Sequence, residues 1–118
     1  MDARDVVANL EYVGAAQGLR QSYSVFRGRQ HYLIVSFKKD DPQAGNFTIL
    51  PAEAVDYVQS KFGGLMGVTA KRLYEESQRT KHFRDRLAAL NGLYVLVAMG
   101  KASVDHRFHK GGLVFNVS

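Results

Sequence analysis

Residues 83–99 read FRDRLAALNGLYVLVAM, and the state assigned to this stretch decides the fold. Asn91-Gly92 is a strong hairpin-turn signal, and Leu93–Met99 by itself reads as a buried strand. Against that, Phe83, Leu87, Leu90, Tyr94 and Val97 recur at alternating steps of four and three, and the stripe crosses Gly92 without a phase break. The spacing predicts one helix over 81–98, capped by Thr80. Its other face, Ala88, Ala89, Gly92 and Val95, is small and apolar. That face predicts a second protein surface against it, either the N-terminal sheet or another subunit. With the apolar run at 93–99, it predicts a homodimer.

Upstream of this helix the period stays helical back to Pro51. Pro51 is expected in a first turn, where its missing N–H costs nothing. Ala54, Val55, Val58 and Phe62 form one stripe, and Gly63-Gly64 ends the element. Thr69 is the expected cap of a short helix to Ser77 that buries Leu73. Farther upstream the period becomes two. Tyr23 and Val25, then Tyr32, Ile34 and Ser36, flank Arg27-Gly28-Arg29-Gln30, which predicts strands 22–27 and 31–38 around a tight turn. Residues 46–50 give a third strand, and residues 2–12 a short helix with Val6, Val7 and Leu10 on one side. Downstream, Val104, His106 and Phe108, then Leu113, Phe115 and Val117, alternate around a glycine turn and predict a second hairpin. The expected fold is a single α+β domain over 1–118: an N-terminal helix and three-stranded antiparallel meander, then three helices closed by a C-terminal β-hairpin.

The chain has 118 residues, 46% of them apolar, with no cysteine and no tryptophan. Disulfide scaffolds, thiolate zinc sites and cysteine nucleophiles are excluded. No apolar run approaches the roughly 20 residues that span a bilayer, so no membrane is expected and a cytoplasmic location is. The net charge is +5. It is concentrated in residues 69–110, where nine bases face only Glu75, Glu76, Asp85 and Asp105. Such a stretch suits a polyanion partner, because neutralised phosphates release counterions.

Helix, helix, helix, strand, glycine turn, strand is the order from Pro51 onward. The phrase Leu96-Val97-Ala98-Met99-Gly100-Lys101-Ala102 leads into Val104–Phe108 and the turn His109-Lys110-Gly111-Gly112. In that order the chain resembles the winged helix-turn-helix family. The resemblance implies double-stranded DNA binding, with the third helix in the major groove and the hairpin as a wing. By position it places Lys71 and Arg72 on the second helix. Thr80, Lys81, His82 and Arg84 fall at the start of the third, and Arg107 and Lys110 on the wing. Arg84 is the expected base reader and the others phosphate holders.

Other constellations are weaker. Asp105-His106 and His109 have metal-capable side chains, but strand alternation points the first two apart and no further ligand lies close. Asp40-Asp41-Pro42 lacks a converging lysine and reads as a turn. Gly63–Thr69 precedes a helix but lacks a phosphate-loop ending. Neither a metal nor a cofactor is expected, and no catalytic set is assembled. The aromatics of the strands suit base stacking or a pocket. The second expected function is therefore a non-catalytic ligand- or protein-binding module, with a pocket lined by Tyr32, Phe37, Phe47 and Tyr94.

Overall fold

A computed structural model describes residues 9–41, 45–105 and 112–118. The chain is α+β. Four strands, β1 (Glu11–Gln17), β2 (Gln21–Arg27), β3 (His31–Lys38) and β4 (Gly45–Pro51), form an antiparallel meander in the order β1-β2-β3-β4. Three helices follow: α1 (Ala52–Phe62), α2 (Ala70–Glu76) and α3 (Arg86–Ala98). A hairpin of β5 (Ala102–Val104) and β6 (Phe115–Val117) closes the chain.

The meander has one more strand than the sequence pattern suggested. Residues 2–8 of the expected N-terminal helix lie outside the described residues, but Glu11 and Tyr12 belong to β1 rather than to a helix. The small residues of Gly14-Ala15-Ala16 hide the alternation that marks a strand. Gly14 also has a packing reason to lack a side chain: a Cβ there would lie 2.4 Å from the Ala98 carbonyl oxygen. β1 therefore crosses the end of α3 at backbone distance. A bulge between Tyr12 and Gly14 adjusts the register at the same place.

Period-three-to-four spacing forms the helices as expected, with two shifts at their starts. Pro51 is the last residue of β4 and the cap of α1, and the Ala52 N–H donates to the Gln30 carbonyl at 2.8 Å. Ala54, Val55, Val58 and Phe62 are all buried. Thr69 caps α2, its hydroxyl oxygen accepting the Arg72 N–H at 3.1 Å. The cap of α3 is Asp85, whose carboxylate accepts the Ala88 N–H at 2.8 Å. Thr80 instead donates its hydroxyl to the Ser77 carbonyl at 2.7 Å, within the turn that leaves α2. Asp85 takes the position because the helix begins at Arg86, and residues 82–85 between Thr80 and that start are not helical.

α3 is the centre of the molecule. It touches all four strands of the sheet, α1, α2 and β5. Residues 91–96 are buried without a break. The helix crosses Asn91-Gly92 intact. Asn91 returns a side-chain N–H to the Leu87 carbonyl at 2.9 Å, and Gly92 leaves room for the Phe83 ring. The stripe that suggested the helix is not its buried face, since Leu87 is 61% exposed. Ala88, Ala89, Gly92 and Val95, expected to meet a second surface, are all buried within this chain, as are Leu93, Tyr94 and Leu96. A helix apolar on every side belongs in a core, and burying each such aliphatic side chain stabilises the fold by about 1.5–3 kcal/mol. The run 93–99 thus packs inside its own domain, which removes the reason it offered for a homodimer.

Candidate binding surfaces

The sheet separates two sets of side chains with different surroundings. Ala16, Val25, Tyr32, Ile34 and Leu50 face the helices and are buried. Tyr23 stacks on Tyr94 with ring centres 4.1 Å apart, and Tyr94 meets Phe115 edge-on at 5.8 Å, which ties sheet, helix and hairpin together. Burial pushes the hydroxyl pKa of both Tyr23 and Tyr94 above the ordinary value of 10.0; for Tyr94 the charge that the neighbouring Tyr23 hydroxyl would carry pushes it further.

The opposite face carries three levels that cross all four strands, with His31 and Pro51 beyond them at the end of β3 and β4. Tyr12, Phe26, Leu33 and Ile49 form one, Ala15, Ser24, Val35 and Phe47 the next, and Gln17, Ser22, Phe37 and Gly45 the third. None of these positions is charged. An antiparallel sheet with one solvated face ordinarily alternates apolar inward with polar outward. Here eight of the twelve outward positions are apolar too, and Phe47 is 69%, Tyr12 61% and Phe37 40% exposed. Tyr12 and Phe26 meet edge-on at 5.5 Å. Among the described residues, no helix covers this face.

The four aromatics expected to line one pocket are therefore divided. Tyr32 and Tyr94 are in the core, where the Tyr32 hydroxyl donates to the Met99 sulfur at 3.6 Å. Phe37 and Phe47 stand on the outward face. The cause is strand alternation: Tyr32 and Phe37 are five residues apart on one strand, so they point to opposite sides. A cleft of about 360 Å³ does lie at the inner edge, between Leu19, Tyr23, Leu90 and Tyr94. Only Tyr94 of the expected set reaches it.

The basic residues are at the surface, away from any groove-reading helix. Lys71 and Arg72 are exposed on α2. Arg72 is already engaged, pairing with Glu76 at 2.6 Å and lying over the Phe62 ring at 5.6 Å. Lys81, His82 and Arg84 sit in the connection between α2 and α3 rather than on a helix. His82 is half-buried, its ring 4.6 Å from that of Tyr57. Arg84 is exposed and lies 3.7 Å from Asp85. Lys81 holds φ at 57°, a left-handed conformation unusual for lysine. Arg107 and Lys110 lie outside the described residues, as do His106 and His109. The third helix of a winged-helix protein enters the groove, whereas α3 is buried at the centre of this fold.

Among the described residues, no three His, Asp or Glu side chains gather as a metal site, and no helix is long and apolar enough to cross a membrane. Comparison with protein-family models, with curated proteins and with solved structures finds no match.

Proposed function

We propose that the chain is a non-catalytic protein-binding module whose working surface is the outward face of the sheet. One observation carries this reading. A face of twelve side-chain positions without a charge, with Phe26, Leu33, Val35, Phe47 and Ile49 across its middle, stands on a chain that carries +5 elsewhere. Large exposed apolar patches of this kind mark contact surfaces, and charge depletion with aromatic enrichment is the composition of an interface centre. The test is an environment-sensitive apolar dye. At concentrations low enough to keep it monomeric, the native chain is expected to bind it, and Phe47→Asp is expected to reduce that binding several-fold with an unchanged circular dichroism spectrum. Equal dye binding by the two proteins contradicts the reading.

A second reading is favoured by the exposed cations Lys71, Arg79, Lys81, Arg84 and Arg86, crowded into sixteen residues around the α2–α3 connection. In this reading they hold nucleic-acid phosphates without a helix in the groove. Each phosphate neutralised contributes about 0.9 to the slope of log affinity against log salt. Replacing Lys71, Lys81 and Arg84 with alanine then flattens that slope by about 2–3. An unchanged slope removes this reading.

A further inference from the structure

The bulk on the outward face is unevenly divided. At its second level the β1–β2 half is small, with Ala15 and Ser24, while the β3–β4 half is large, with Phe47 and Val35; at the third, small Ser22 and Gly45 alternate with larger Gln17 and Phe37. A two-fold axis running parallel to the strands, midway between β2 and β3, lays β4 of one copy over β1 of another and β3 over β2. That operation sets Phe47 on Ala15, Val35 on Ser24 and Phe37 on Ser22, and does so twice. At the third level it also sets Gly45 on Gln17, and at the first it sets Leu33 on Phe26 and Ile49 on Tyr12. At the second and third levels large residues meet small ones, which is what a self-complementary surface requires, and at the first the contact is between large apolar residues.

We infer that the partner at this face is a second copy of the chain, packed sheet against sheet about that axis. The inference rests on the reading of the outward face as a contact surface and names its occupant. The absence of charge favours the same occupant. Two chains of +5 meet here without placing like charges in the interface, whereas a surface for an acidic partner would present Lys or Arg. The aliphatic centre of Leu33 and Val35 suits sheet packing better than base stacking, which needs a cationic track beside its rings. The area is adequate. Four strands about 4.8 Å apart, with about seven residues of about 3.4 Å each, make a plane of roughly 19 by 23 Å. With side chains in relief, two such planes bury on the order of 1,200 Å², the lower end of a standard specific interface. The dimer is therefore expected to form in the micromolar range. Residues 1–8 are the competing occupant, and they offer only Val6 and Val7 as branched apolar residues beside Asp2, Arg4 and Asp5.

The chain has no cysteine, so engineered thiols report without background. Within one chain Ala15 and Phe47 lie on the two edge strands, three spacings or roughly 14 Å apart. Facing sheets pack about 10 Å apart, beyond the roughly 7 Å that a disulfide spans between Cα atoms, so the thiols are joined by a short bismaleimide linker that cannot cross the roughly 14 Å within one chain. The double variant Ala15→Cys/Phe47→Cys is expected to be joined by that linker into a covalent dimer at micromolar concentration. Either single variant alone is expected to stay monomeric, and mixing the two singles is expected to restore cross-linking. Equal cross-linking by the singles and the double overturns the inference. So does a monomer that becomes a dimer only when residues 1–8 are removed, because that segment then covers the face. The dye distinguishes the two levels of the argument. No cross-link, with dye binding still lost in Phe47→Asp, leaves the contact surface standing and refutes only its partner; loss of both refutes the surface itself.

Discussion

The two faces of the meander carry nearly equal apolar character but have different neighbours. Val25, Ile34 and Tyr32 look inward onto α3 and are sealed from water. Phe26, Val35 and Phe47, one residue or one strand away, look outward onto no described element. The inward face is satisfied by this chain's own central helix, and the outward face has the same chemistry without a cover. Hydrophobic burial is the main favourable term in folding and in association alike. A sheet that is apolar on both sides has therefore completed half of its burial within this chain.

The contrast can be tested by substitution on each side. The largest effect is expected within the inward layer. Leu93→Ala removes a fully buried side chain of α3 and is expected to cost about 2–5 kcal/mol in denaturant unfolding. A cost below 1 kcal/mol, measured in the same way, would show that α3 is not the packing centre. At the start of that helix, Asp85→Ala is expected to cost about 1 kcal/mol through the lost cap. Thr80→Ala is expected to cost clearly less, and the reverse order would return the cap to Thr80.

The tyrosine pair of the inward layer gives a pH signature. Burial raises both hydroxyl pKa values in the folded chain above the ordinary 10.0. The unfolded chain therefore releases these protons at lower pH than the folded chain. The stability they contribute is intact below pH 10 and falls as pH rises beyond it. Tyr94→Phe is expected to shallow that alkaline decline, and an unchanged profile would contradict the burial of the pair. The smallest effect on the monomer is expected outward. Phe47→Ser should change unfolding stability by no more than about 0.5 kcal/mol at concentrations where the chain is dilute.

Much of this architecture was legible in the sequence. The Arg27–Gln30 turn, the Thr69 cap and the unbroken helix across Asn91-Gly92 follow from local chemistry, and the structure has each of them. β1 was not legible, because Gly14-Ala15-Ala16 offers no alternation of bulk; the approach of α3 explains why position 14 carries no side chain. The stripe through Leu87 predicted the right element but the wrong face, because periodicity locates a helix without telling which side is covered when both sides are apolar. The pocket of Tyr32, Phe37, Phe47 and Tyr94 is divided by strand alternation, and the odd spacing of Tyr32 and Phe37 already carried that information. The outward face needed the strand order. Its residues come from four separate strands, and only the register places Phe47, Val35, Ser24 and Ala15 in one row.

Sedimentation equilibrium of the full chain and of Val35→Asp tests the outward face most directly. The native chain is expected to pass from monomer to dimer across the micromolar range. Val35→Asp is expected to remain a folded monomer throughout, because the substitution buries a charge at the middle of the contact. A native chain that stays monomeric over the whole range, or a Val35→Asp chain that associates as well as the native one, would contradict the account.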